Sequence, residues 1–180
     1  MRVIVVPGIG GSDSDHWQSR WEAASGELIR LEPASWDAPD FADWSRALDR
    51  AAAGERVILV AHSLGCLLAV RWARGNDVAG LFLVAVPDPA GPVFPAVAAD
   101  FGADLAAPPG EPTLMIASDD DPYCSVEQSA AFARAWSADL VSVGLHGHLN
   151  SASGLGDWAD GRERLTAFIS GVVSPQHPLA

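Results

Sequence analysis

Val57-Ile58-Leu59-Val60-Ala61-His62-Ser63-Leu64-Gly65 is the stretch on which the fold turns. Its first five residues are apolar without alternation, as in a strand buried on both faces of a parallel sheet. The pattern then changes period at once, and Leu64–Ala73 reads as a strongly apolar helix. Between the two stands a small-x-Ser-x-Gly turn. A strand that bends into a helix this sharply strains the backbone of the turn residue, so the positions beside it must be small. Ala61 and Gly65 meet that demand. The turn lifts the Ser63 hydroxyl above the carboxyl ends of the strands. It also points the Leu64 N–H, at a helix N-terminus, toward any negative charge developing there.

Similar apolar runs lie on either side, at Val3–Val6, Leu28–Leu31, Leu81–Val86, Thr113–Ala117 and Leu140–Val143. Arg30 inside the second marks an edge strand. Helical patterns alternate with them. Trp17, Trp21 and Ala24 follow Asp15 as a prospective cap, and Phe41, Trp44, Leu48 and Ala51 follow Asp40. Val126–Trp136 is amphipathic, and Leu165, Phe168, Ile169 and Val172 form a last helical face. Alternation of this kind predicts an α/β fold, a six-stranded, mainly parallel sheet wrapped by helices on both faces. Residues 1–173 read as a single domain and 174–180 as a loose tail. The least regular part, 87–112, carries Pro87, Pro89, Pro92, Pro95, Pro108 and Pro109, with room for one short helix over Phe94–Leu105. It reads as a reduced lid or one wall of a pocket.

Composition narrows the function. The chain has 180 residues, 49% of them hydrophobic and 19% charged, enough for a core without staples. Two cysteines, Cys66 and Cys124, support neither a disulfide scaffold nor a cysteine-rich zinc site. A formal charge of −12, with every cation an Arg, repels nucleic acid and anionic membranes. No signal-peptide core or membrane span is legible, so a cytoplasmic protein is expected. Pro7-Gly8-Ile9-Gly10-Gly11 follows the first strand, but Asp13 breaks G-x-G-x-x-G and no Lys exists to complete a P-loop. The glycine-rich loop reads instead as the source of a second oxyanion donor, the N–H of Ile9.

A serine nucleophile needs a base, and the base needs an orienting carboxylate. Ser118-Asp119-Asp120-Asp121-Pro122-Tyr123 follows the strand Thr113–Ala117. Three adjacent carboxylates repel, so one is expected to enter the site while the others face water or cap the helix near Val126. Pro122 favours an extended Asp121. Gly144-Leu145-His146-Gly147-His148-Leu149-Asn150 follows the last strand. His148, next to a glycine and farther past the strand end than His146, is the better placed base. His62 is expected to point away from Ser63 in a structural role.

The turn resembles the nucleophile elbow of α/β-hydrolases. Together with Asp15-His16-Trp17, Trp21 and the acid and histidine loops, it resembles the small serine hydrolases, the family of the YdeN-like proteins and retinoblastoma-binding protein nine. The resemblance spans Val3 to about Ile169. It implies a compact α/β-hydrolase fold with little cap, in which Ser63 is nucleophile, His148 base and Asp121, the last acid before the Pro, the triad acid. It implies no metal and no cofactor. Pro7 stands where some members have His, and Ala61 where most have Gly. Gly10, His16 and Trp17 flank the oxyanion loop as candidate pocket residues.

The expected reaction is hydrolysis of an ester, thioester or small amide, with a small molecule as partner. A short insertion suits small acyl groups, and the acidic field disfavours polyanions such as acyl-CoA. The rival is a protein-interaction module on a hydrolase scaffold. Its nearest retinoblastoma-type string, Leu64-Gly65-Cys66-Leu67-Leu68, lacks the Glu and lies in the buried helix.

Overall fold

The computed structural model describes residues 1–174. Of the tail expected over 174–180, Ser174 closes the last helix, and the remainder, with His177, lies outside the described residues. The strands are β1 (Arg2–Val6), β2 (Leu28–Arg30), β3 (Val57–His62), β4 (Val78–Val84), β5 (Thr113–Ala117) and β6 (Asp139–Ser142). The helices are α1 (Trp17–Ala24), α2 (Phe41–Ala52), α3 (Leu64–Ala73), α4 (Val126–Trp136) and α5 (Ala159–Val173). The sheet order is β2-β1-β3-β4-β5-β6, and every pairing is parallel. This is the α/β-hydrolase fold. The order reverses direction between β1 and β3, and that switch point opens a crevice at the carboxyl ends of the strands.

The sheet divides the core in two. Ile4, Val6, Leu59, Ala61, Leu81, Leu83 and Met115 face α2, α3 and α4. Their neighbours in sequence, Val60, Phe82, Val84 and Ile116, face α1 and α5. Nine of the ten residues of α3 are buried, as are all six of β3. Each leucine so buried contributes roughly 2 kcal/mol, which anchors the turn between the two elements.

Local chemistry moves several boundaries. Strand β4 starts three residues before the expected Leu81 and ends before Ala85, whose φ of 54° turns the chain out of the sheet. Asp15 does not cap α1. Asp13 accepts the backbone N–H groups of Asp15 and His16, the Asp15 carboxylate pairs with Arg20, and the cap falls to His16, whose Nδ1 accepts from the Gln18 N–H. Asp40 caps α2 through the Asp43 N–H. The insertion after β4 holds a 3₁₀ helix, Ala96–Gly102, whose Phe101 packs edge-on against Phe41 and Trp44.

Candidate active site

Ser63 sits between β3 and α3 with φ 53° and ψ −127°, a conformation that side-chain-bearing residues rarely adopt. Its N–H is held by the Val84 carbonyl at 3.0 Å, and its carbonyl accepts from the Cys66 N–H at 2.9 Å. The strain is locked in by close approach. A Cβ on Gly65 would lie 2.5 Å from the Pro7 carbonyl oxygen and strike that of Val6, and one on Gly8 would lie 2.8 Å from the Ser63 Cβ.

Two loops bring partners to this hydroxyl. The Nε2 of His148 lies 2.8 Å from Ser63 Oγ, and its Nδ1 lies 2.9 Å from both Asp121 oxygens. A carboxylate only accepts, so Nδ1 carries the ring proton and Nε2 accepts from the serine hydroxyl. Asp121 also accepts from the Tyr123 N–H. Both members of the pair are nearly buried, with side-chain exposures of 9% and 3%, which shields their interaction from water. The Tyr123 ring covers the imidazole at 4.4 Å between centroids.

The other two acids do not cap α4, whose cap is Ser125. Asp120 accepts from the Gly147 N–H at 2.7 Å and from the Ser118 hydroxyl at 2.8 Å, and so ties down the loop that bears His148. Asp119 accepts from the Ser142 hydroxyl at the end of β6. His146 is exposed, and its backbone N–H donates to Ser118. His62 lies beside His148. Its Nε2–H donates to the His148 carbonyl at 2.9 Å, with the two rings 5.0 Å apart. Burial and the neighbouring imidazoles of His148 and His16 hold His62 neutral. Residue reading missed the anchoring by His62 and Asp120, because it runs through backbone groups far away in sequence. The triple-acid run was the one visible signal of it.

Ser63 opens into a cleft of about 420 Å³. Pro87, Phe94, Pro95 and Tyr123 form an apolar wall, and Asp13, His16, Asn150 and Ser151 a polar one. Ile9 lines the floor beside Gly8, and Leu64 opens α3. Neither N–H has an acceptor among the described residues. Gly10 and Trp17 do not line the cleft. The Gly10 N–H is held outward by the Trp36 carbonyl, and the Trp17 indole is buried with its N–H on the Leu149 carbonyl at 2.8 Å. Burial pushes the Cys124 thiol up to about 11 and that of Cys66 higher still, so neither offers a thiolate at neutral pH.

The family model described as serine hydrolase matches residues 3–167. The chain belongs to the serine hydrolase family. This serine hydrolase superposes on a YdeN-like hydrolase from Pectobacterium atrosepticum with a TM-score of 0.84 and 34% identity, over 95% of this chain and 91% of that one. The ydeN gene product of B. subtilis gives a TM-score of 0.78 at 23% identity, over 94% of this chain and 98% of that one. A thermophilic esterase from Thermogutta terrifontis, with malate bound, shares the fold at 0.69 and 16%, over 96% and 90% of the two chains. No match was found among curated proteins. No described helix of this serine hydrolase is long and apolar enough to cross a membrane.

Proposed function

We propose that this hydrolase cleaves small esters through a Ser63–His148–Asp121 triad and an acyl-enzyme, with thioesters and small amides as related substrates. The observation that carries the reading is the unbroken line of hydrogen bonds from the Asp121 carboxylate through His148 to the hydroxyl of a strained serine. His148 Nε2 takes the Ser63 proton as Oγ attacks the carbonyl carbon. The N–H groups of Ile9 and Leu64 receive the oxyanion, each worth about 3 kcal/mol in transition states of this kind. Asp121 keeps the proton on Nδ1 and stabilises the imidazolium. Collapse expels the alcohol, which leaves with the proton from Nε2. A water then gives its proton to Nε2, attacks the acyl-enzyme, and the acid departs as Ser63 is reprotonated. The cleft suits small acyl groups, with the apolar wall formed by the insertion and Tyr123.

The test is labelling of the intact protein with a fluorophosphonate, read by mass spectrometry. One adduct on Ser63 is expected, absent from Ser63→Ala and slowed by at least roughly 100-fold in His148→Ala. A folded wild-type protein that takes no label would overturn the reading and favour an interaction module on a hydrolase scaffold.

A further inference from the structure

His16 lines the cleft, yet acyl transfer as drawn makes no use of it. The side chain is buried, at 3% exposure. Its Nδ1 accepts from the Gln18 backbone N–H at 3.2 Å. A ring nitrogen that accepts an N–H carries no proton, so the proton of the neutral ring is on Nε2. That nitrogen is buried and has no acceptor among the described residues. The Gln18 side chain, two residues on, is already occupied: it donates to the Val60 carbonyl and accepts from the Ser12 hydroxyl. An orphaned buried donor is costly unless something else satisfies it.

The surroundings say what that something is. Desolvation holds the ring neutral, with a pKa lowered to about 4, so it offers a hydrogen bond and no charge. The Asp13 carboxylate shares the polar wall and is held charged by the Ser151 hydroxyl and two backbone N–H groups. No Arg lines the cleft among the described residues, and the chain has no Lys. An anionic ligand group would meet the Asp13 charge, and Arg30, whose charge reaches His16 from outside the cleft, is already paired with Glu22. An uncharged oxygen meets only the donor.

We propose that the Nε2–H of His16 donates to a second, uncharged oxygen of the substrate, so that esters carrying an ether, hydroxyl or further carbonyl oxygen are selected over hydrocarbon esters of the same shape. The inference rests on the ester reading of Ser63. The selection is made by a desolvated donor that a hydrocarbon leaves unsatisfied, the type of discrimination in which a polar site rejects an apolar isostere.

The test uses two isosteric pairs, one for each side of the scissile bond. These are p-nitrophenyl methoxyacetate against p-nitrophenyl butyrate, and 2-methoxyethyl acetate against butyl acetate. Intrinsic reactivity cancels when a variant's oxygen-over-hydrocarbon ratio of kcat/KM is compared with that of the wild type. His16→Asn keeps an acceptor for the helix end and loses the Nε2 donor; His16→Gln keeps the donor and loses the cap. The ratio is expected to fall about tenfold in His16→Asn for at least one pair and to stay within about twofold in His16→Gln. A ratio unchanged in His16→Asn for both pairs would overturn the proposal and leave His16 a helix cap. An independent readout uses ¹⁵N-histidine-labelled Ser63→Ala. The His16 Nε2 proton should move downfield with a methoxy ester and not with its hydrocarbon partner; no movement overturns the proposal. Movement without any turnover by the wild type would overturn the Ser63 reading, and with it the selection among esters, while sustaining the contact from the His16 donor to an uncharged oxygen.

Discussion

His62 adjoins Ser63 along the chain and touches the backbone of His148 through space. Its Nε2–H holds the carbonyl of His148, so the residue before Ser63 helps position the imidazole that is hydrogen-bonded to the serine hydroxyl. Removing that donor leaves a buried carbonyl unpaired and lets the base loop shift. His62→Phe is expected to lower kcat roughly 10- to 100-fold with a smaller change in KM, as misplacement of a catalytic group does. His62→Gln, which keeps a donor near Nε2, should restore most of the loss. Steady-state kinetics on a small ester checks both, and a loss confined to KM would show that His62 acts on substrate. At this scale much of the site was legible. Ser63 and His148 were singled out by their neighbours, a small-residue turn and a glycine, and Asp121 by the resemblance of the acid run to the family pattern. Trp17 was misplaced because its indole N–H is taken by a carbonyl 132 residues away, which no local pattern reveals.

The elbow works as an element only while β1, β3 and α3 stay in close contact. Gly8 and Gly65 are the contact points, and both argue for substitution experiments. Gly65→Ala drives a methyl into the backbone of β1 and its following turn, which cannot yield cheaply. A loss of roughly 3 kcal/mol or more is expected, read as a lower midpoint in urea unfolding. Gly8→Ala meets the Ser63 side chain instead. Its expected signature is slower fluorophosphonate labelling, by at least roughly 10-fold, with a smaller stability change. Equal labelling by Gly8→Ala and wild type would show that the loop relaxes freely. The central strands β3 and β4 were readable because burial on both faces makes them largely apolar. The start of β4 was not, because Gly80 interrupts the apolar run. That glycine is where Phe168 of α5 lies against the sheet, a demand visible only after the helix has docked. The cap of α1 was misread for a similar reason: the Gln18 N–H that an Asp15 cap could have accepted goes to the His16 Nδ1, and the Asp15 carboxylate turns to Arg20.

Taken whole, the molecule buries imidazoles in neutral form, and this ties its stability to pH. His16 has its pKa lowered from 6.5 to about 4, first by desolvation, with Arg30 and His148 acting in the same sense and Asp13 against. The unfolded chain therefore binds more protons between those values. Stability is full above about pH 6.5, falls as pH falls through that window, and levels off near pH 4. His16 alone contributes about 3 kcal/mol to that slope, and His62 adds to it in the same direction. Chemical denaturation at pH 7, 5.5 and 4 should show the decline, and His16→Asn should flatten it; equal slopes would remove His16 as its source. The two indole N–H bonds carry a different consequence. Trp17 and Trp21, in the first helix, are fastened to the carbonyls of Leu149 and Asp157. During vectorial synthesis the serine elbow leaves the ribosome long before the segment that supplies the base. The two indole bonds can form only once that late segment has been made. On the proposed triad, activity is thus timed by translation: a chain cut short before residue 148 carries Ser63 without His148 and is expected to be inert.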